Sequence, residues 1–228
     1  MTARTTYRIT RVESQKRNAD RVNIYLDGAF AFGLGRDVLI QHHLHEEDEI
    51  NDSLIDDVLL TEERARAKEK AIGLLAYRAR SEKEITGRLR EKGFPDRVVQ
   101  TVVGDLKRAG LVDDRQFASA YVQTRMIQKP VSRRLLMREL AEKGVDGELA
   151  EKAVVEVYGD RSELDVARDL VRRKLSKNRD KDDRKVKKRL CDFLLRRGFA
   201  WDVIREALEM MADMQDECST ADNAAGDT

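Results

Sequence analysis

The chain has 228 residues, of which 38% are charged and only 5% aromatic, and it contains two prolines. This composition is typical of short, heavily charged helices with thin cores, and it argues against a large β protein or a deep enzyme core. Leu, Val, Ile and Phe recur with clear periodicity, so the chain is not disordered throughout.

The net charge is +1, but the charges are sorted into blocks. Residues 46–63 hold nine acidic side chains and no Lys or Arg, whereas residues 206–228 hold seven acidic side chains and none that is basic. Residues 172–197 hold thirteen Lys or Arg against four Asp, and they predict contact with phosphates or an acidic protein surface. The alternative is a solvated helix face. The candidate binding residues are Arg172, Arg173, Lys174, Arg184, Lys185, Lys187, Lys188 and Arg189.

Cys191 and Cys218 are the only cysteines, and they form neither a disulfide framework nor a CxxC metal motif. The N-terminal MTARTTYRIT lacks an apolar signal-peptide core, and no run of 18 apolar residues occurs. We therefore expect a soluble protein of the reducing cytoplasm with no membrane contact.

Residues 7–34 are the only convincing β region. YRITRVE alternates apolar and polar residues, and VNIYLDGAFAF has two apolar runs around Asp27-Gly28. Asp-Gly at this position predicts a hairpin, because both turn residues need positive φ. We expect three short strands, then a short helix at 36–41 and an acidic helix at about 51–60.

From Thr61 onward the periodicity is helical, and the predicted helices group in threes. We predict nine helices, at 62–78, 82–92, 95–108, 114–128, 131–143, 147–157, 163–175, 183–197 and 200–213.

Three of these helices end in the same pattern, written LREKGFP, LAEKGVD and LLRRGFA. The shared glycines, Gly93, Gly144 and Gly198, lie 51 and then 54 residues apart. Each pattern fits a Schellman cap, in which glycine adopts the left-handed conformation and the apolar residue after it contacts the Leu four positions before the glycine. The sequence therefore encodes a three-helix repeat of about 50 residues, present three times.

The predicted fold is mainly α, with three tandem three-helix repeats forming an elongated, curved solenoid after a small β-hairpin/α region. We place the β-hairpin and short helices at 1–60 and the repeats at 61–110, 111–159 and 160–214. An acidic disordered tail is expected at 215–228.

Several side chains have predicted structural roles. Capping boxes are expected at Ser81 with Glu84 and at Asp113 with Gln116. Phe117 and Tyr121 are expected in a core. Trp201 is expected to pack in the core of the third repeat, with an exposed binding anchor as the alternative.

The sequence offers no catalytic arrangement, cofactor motif or metal motif. Gly33-Leu34-Gly35 is better explained by turn geometry than by nucleotide binding. His42, His43 and His45 lie beside Glu46, Glu47 and Asp48, but their spacing fits no zinc pattern, and we expect an exposed polar loop.

The chain resembles the RecX family, regulators of the RecA recombinase. RVNIYLDGAFAFGLGRDVL resembles the family's hairpin segment, and GLLAYRARSEKEITGRLREKGF resembles its first repeat. The resemblance covers nearly the whole chain, fits the third repeat more loosely and excludes the tail after Met214. LKRAGLVDDRQFASAYVQTR continues the match with Gly110, Leu111, Asp113, Asp114, Phe117 and Ala118 in the family's order.

This resemblance implies tandem three-helix repeats and a non-enzymatic protein that binds RecA recombinase filaments on DNA. It also implies inhibition of their ATPase, strand exchange and filament growth, in recombinational DNA repair and the SOS response. We expect a monomer without cofactor that makes at most weak direct contact with DNA. The alternative is a helical protein that binds DNA nonspecifically and competes with recombinase for it. A third interpretation, a scaffold protein without a role at DNA, is supported only by the repeat shape.

Overall fold

The computed structural model describes residues 6–176 and 183–209. These residues form four strands and ten helices. The contacts divide the chain into two compact units, Met1–Val112 and Asp113–Thr228. The predicted fold class, mainly helical with a small N-terminal strand region, is confirmed. The finer repeat boundaries stay predictions, and the proposed tail at 215–228 lies outside the described residues.

The N-terminal strands form one antiparallel sheet in the order β3-β2-β1-β4. β1 (Thr6–Gln15), β2 (Asn18–Leu26) and β3 (Ala29–Gly35) match the predicted strands. α1 (Arg36–Gln41) follows, as predicted. β4 (Glu49–Asn51) was not predicted, because three residues are too few to show an alternating pattern.

The hairpin between β2 and β3 turns at Asp27-Gly28. Both residues have positive φ, +48° at Asp27 and +84° at Gly28, so the predicted turn is confirmed. The sheet packs its inner face against α1 and the start of the following helix. The buried residues of this core are Ile9, Val22, Ile24, Leu34, Val38, Leu44, Ile50 and Val58.

The acidic segment and the first repeat helix are one continuous helix, α2 (Asp52–Tyr77), of 26 residues. The predicted break near residue 60 is therefore wrong. No Gly or Pro occurs between residues 52 and 72 to interrupt the helix. Glu62, buried within α2, accepts a hydrogen bond from the Gly35 amide at 2.7 Å and lies 2.8 Å from the Arg21 guanidinium. These contacts connect α2 to the sheet.

The first repeat consists of the second half of α2, α3 (Glu82–Glu91) and α4 (Asp96–Arg108). It has its own hydrophobic core, separate from that of the sheet. The buried residues are Ala67, Ala71, Ile85, Leu89, Val98, Val99, Val102, Val103, Leu106 and Val112.

The three predicted glycine caps are confirmed. Gly93, Gly144 and Gly198 have φ of +86°, +79° and +82°. In each cap, the amide after the glycine donates to the carbonyl of the predicted Leu, at 3.3, 3.1 and 3.3 Å in chain order. Of the two predicted capping boxes, the N-cap half forms in each: Ser81 Oγ accepts from the Glu84 amide, and Asp113 accepts from the Gln116 amide.

The second unit holds the second and third repeats. Its first five helices are numbered α5 to α9, and residues 201–209 form a further helix, α10, whose predicted end lies outside the described residues. The first five are α5 (Asp114–Gln128), α6 (Arg133–Glu142), α7 (Gly147–Tyr158), α8 (Glu163–Leu175) and α9 (Asp183–Arg196). One continuous core runs through both repeats, from Phe117 to Ala207.

Hydrogen bonds join the second repeat to the third across this core. The Ser132 amide donates to the Arg197 carbonyl at 3.0 Å, and the Arg197 guanidinium donates to the Pro130 carbonyl. Within the second repeat, the buried Tyr158 hydroxyl donates to the Val131 carbonyl at 2.6 Å. The segment just before α6 is therefore held by Arg197, which follows α9, and by Tyr158 at the end of α7.

Candidate partner-binding face of the third repeat

The basic candidates lie on α8 and α9, which pack together through their apolar faces. α9 buries Val186, Leu190 and Leu194, which are spaced four residues apart. A helix that buries one such stripe exposes the residues between its members. α8 likewise buries Val166, Ala167, Leu170 and Val171. All eight candidates are exposed: Arg172, Arg173, Lys174, Arg184, Lys185, Lys187, Lys188 and Arg189.

The two helices place their cations differently with respect to the helix dipole. Arg172, Arg173 and Lys174 occupy the last turn of α8, where the partial negative charge of the helix end favours cations. The cations of α9 begin in its first turns, where the dipole disfavours them. Since the helix dipole does not favour that placement, the α9 cations suit an external anionic partner.

The eight side chains do not form a single patch. Arg172 pairs with Asp169 at 3.4 Å, and Lys174 lies 5.4 Å from the centre of the Phe193 ring on α9. Arg173 borders a different cavity, of about 460 Å³, together with residues of α5 and α7. Lys187 and Lys188 border a groove between α9 and α10.

This groove of about 400 Å³ contains the exposed Trp201, whose side chain is 63% accessible. The prediction that Trp201 packs in the core is therefore wrong. α10 buries Ile204 and Ala207 instead, and Phe199 of the preceding cap fills the core beside them. The alternative, an exposed aromatic anchor, agrees with the position of Trp201 beside Lys187.

Sequence reasoning also missed Arg205, which borders the same groove one turn after Trp201. The spacing of four residues between the two was a usable signal, because residues at i and i+4 share a helix face. The groove thus combines an aromatic ring with cations from both helices. Its full lining is Lys187, Lys188, Cys191, Asp192, Trp201, Ile204, Arg205, Leu208 and Glu209.

The groove carries no evident nucleophile. Burial, with a smaller effect of the neighbouring Asp192 carboxylate, raises the pKa of the Cys191 thiol. A raised pKa lowers the thiolate fraction at neutral pH, so Cys191 is a poor nucleophile and metal ligand. The groove is suited to binding and not to covalent chemistry.

A second titratable cluster, in the second repeat, is structural. Tyr121 donates to Glu139 at 2.9 Å, and the Arg125 guanidinium lies 2.9 Å from the same carboxylate. Burial, followed by the hydrogen bond to Glu139, raises the pKa of Tyr121 to about 12, so the phenol stays protonated at neutral pH. The cluster joins α5 to α6.

The loop that contains His42, His43 and His45 is held in place by contacts of its acidic residues. Glu46 accepts a hydrogen bond from the Val12 amide at 2.8 Å, Glu47 pairs with Arg8, and Asp48 accepts from the His45 amide at 2.7 Å. Across residues 6–176 and 183–209, no cluster of His, Cys, Asp or Glu is arranged to hold a metal ion. Within the same described ranges, no helix is long and apolar enough to cross a bilayer.

Comparison with known proteins identifies the family of this architecture. A protein from Bacillus pumilus, named regulatory protein RecX, is 32% identical over 209 residues, which cover 92% of this chain and 79% of the relative. This chain belongs to the RecX family. Regulatory protein RecX of Clostridium acetobutylicum is 28% identical over 88% of this chain and 94% of the relative.

Family models and a solved structure extend the RecX match along the chain. The RecX N-terminal domain matches residues 7–51, and the first, second and third RecX three-helix domains match 67–106, 113–154 and 162–208. A crystal structure of regulatory protein RecX has a TM-score of 0.66 and 25% identity, covering 89% of this chain and 99% of the other. The candidate face thus lies within the third RecX three-helix domain.

Proposed function

We propose that this RecX family member is a non-enzymatic regulator that binds filaments of RecA recombinase on DNA. It inhibits their ATPase activity, strand exchange and filament growth, and so acts in recombinational repair and the SOS response. The relatives' shared name, regulatory protein RecX, supports a regulatory role. We place the protein in the cytoplasm, acting as a monomer without a cofactor.

The observation that carries the proposal is the exposed basic face of α9 with Trp201 beside it. The four cations of this face, Lys185, Lys187, Lys188 and Arg189, are exposed within five consecutive positions. An ordered polymer such as a recombinase filament repeats the same acidic or phosphate surface many times. A protein that contacts it through several modest sites gains affinity, because each contact raises the effective concentration of the next.

The test is single-stranded-DNA-dependent ATP hydrolysis by the cognate RecA, titrated with this protein. Lys185→Glu/Lys187→Glu/Lys188→Glu/Arg189→Glu should raise the concentration needed for half-inhibition by about tenfold or more and flatten its salt dependence. The matched control reverses four exposed cations elsewhere, Arg64, Lys68, Arg97 and Arg115. Unchanged inhibition by the α9 variant would remove the basic face from the mechanism.

The second candidate is nonspecific DNA binding that displaces recombinase by competition. Trp201 next to Lys187 and Lys188 favours it, because cations beside an exposed aromatic ring are the usual means of holding a single strand. Binding to the same bare DNA separates the two. Inhibition at concentrations that leave bare DNA unbound indicates action on the filament. Inhibition only where the protein coats bare DNA indicates competition.

A further inference from the structure

The N-terminal unit contains a second groove lined by basic side chains, and its residues are distant in sequence from the third repeat. Its volume is about 620 Å³, and β2, α2 and the turn between α3 and α4 enclose it. None of its residues belongs to the basic block at 172–197. The lining residues are Arg21, Arg66, Glu69, Lys70, Gly73, Leu74, Lys92 and Phe94.

The groove is cationic, with four basic side chains against a single carboxylate, Glu69. Arg21 forms part of the wall, since buried Glu62 holds its guanidinium at 2.8 Å. The other three cations, Arg66, Lys70 and Lys92, are exposed, and within the part of the chain that the structure describes no carboxylate lies within ion-pairing distance of them. Their charges are therefore available to an anionic ligand.

Gly73 lies on this groove in the interior of α2. Glycine destabilises a helix interior relative to alanine. Neither close packing nor backbone conformation requires glycine at position 73, because a Cβ there would have nothing within 4 Å and φ is not positive. The effect of the glycine is to leave the α2 backbone bare inside the groove.

The bare backbone is aligned with the cations. Arg66, Lys70 and Gly73 follow one another at spacings of four and three residues, so they share one face of α2. Phe94, partly buried against the first-repeat core, borders the groove from the opposite side together with Lys92. A ligand that fits must be anionic along its length, slender enough to touch the helix at Gly73, and compatible with an aromatic ring.

We propose that this groove binds the backbone of single-stranded nucleic acid, with phosphates at Arg66, Lys70 and Lys92 and a base at the Phe94 ring. Cations that track a backbone beside an aromatic ring define sequence-tolerant binding of single strands. The strand lies against α2 at Gly73, where any side chain would hold it away. This contact needs no recombinase and extends the function proposed for the third repeat.

The groove charges are tested by fluorescence anisotropy of a labelled oligothymidylate of about 20 nucleotides, titrated with the full chain at several salt concentrations. Lys70→Glu/Lys92→Glu should weaken binding about tenfold or more and lower the slope of log affinity against log salt by about 1 to 2. The matched control, Lys68→Glu/Arg97→Glu, changes the net charge equally at exposed positions outside the groove. Equal losses in the two variants would overturn the proposal.

Substitution of Gly73 gives a sharper test, because it should raise the stability of the protein and lower its affinity for the oligothymidylate. Gly73→Ala should raise the melting temperature by about 2–4 °C and yet weaken oligothymidylate binding about threefold or more. Gly87→Ala in α3 is the control: a Cβ there also has nothing within 4 Å, and it lies outside the groove. It should raise the melting temperature equally without changing the affinity. Unchanged binding by Gly73→Ala would contradict close approach of the strand.

Two further experiments sharpen the test. The first separates binding by the groove from binding by the third repeat, and the second distinguishes a nucleic-acid ligand from an acidic protein ligand. Repeating the groove substitutions in the α9 quadruple variant removes the third repeat's contribution, and the groove-dependent loss should persist there. Since this assay contains no recombinase, its failure is distinct from failure of ATPase inhibition. A poly-glutamate peptide that displaces the oligothymidylate at equal charge concentration would overturn the nucleic-acid assignment in favour of an acidic protein surface.

Discussion

The caps of the first and third repeats share one sequence pattern but have different surroundings. A Cβ at Gly93 would have nothing within 4 Å. A Cβ at Gly198 would lie 2.6 Å from Ser132 Oγ and 2.8 Å from Leu135 Cβ. Both glycines adopt left-handed φ, but only Gly198 is also pressed against another repeat. A repeated local motif can thus acquire a second, tertiary role in one of its copies.

The difference follows from how the cores are divided. The first repeat closes its own core, whereas the second and third repeats share one. The cap of the third repeat lies at the start of α6, where the Ser132 amide donates to the Arg197 carbonyl and Ser132 Oγ caps the helix by accepting from the Leu135 amide. Glycine at 198 permits this approach.

Among the three glycine caps, the largest expected effect is at this contact. Gly198→Ala should lower the free energy of unfolding by about 2–5 kcal/mol, because left-handed strain adds to overpacking against Leu135. Gly93→Ala should lower it by only about 1–2 kcal/mol, from left-handed strain alone. Chemical denaturation of both variants measures the difference. Equal losses in the free energy of unfolding would mean that Leu135 moves aside without penalty. The proposed difference between the two caps would then be wrong.

An intermediate effect is expected at the cap of the second repeat. Gly144 has φ of +79°, which a β-branched residue adopts only under strain. Gly144→Val should destabilise the second repeat by roughly 1–2 kcal/mol. The check is thermal unfolding followed by circular dichroism, and an unchanged melting temperature would show that the left-handed conformation at residue 144 is not required.

The smallest effect on stability, and a large effect on binding, is expected at Trp201. Because its side chain is 63% exposed, Trp201→Ala should change the free energy of unfolding by less than about 0.5 kcal/mol. Phe199→Ala, two residues earlier in the buried cap, should lower it by about 3–5 kcal/mol. If Trp201→Ala destabilises the protein as strongly as Phe199→Ala, the ring belongs to the core after all. Inhibition assays on the Trp201 variant then measure its role as an anchor.

The candidate surfaces show where prediction from sequence succeeds and where it stops. The basic residues of α9 were identified by composition alone, and their exposure follows from the buried stripe of Val186, Leu190 and Leu194. The groove at Gly73 was not predicted, because its walls come from β2, α2 and the α3–α4 turn, which are far apart in the sequence. Gly73 falls inside the predicted helix at 62–78, and no local pattern marks it as part of a binding surface.

The sequence by itself determined the elements whose interactions are local. The three glycine caps, the N-caps at Ser81 and Asp113 and the Asp27-Gly28 turn each close within a few residues, so the residue types suffice to predict them. Only the tertiary structure decided the pairing of β4, the exposure of Trp201 and the contact of Gly198 with Leu135. These depend on which distant residues meet, because burial and close packing are properties of neighbours in space.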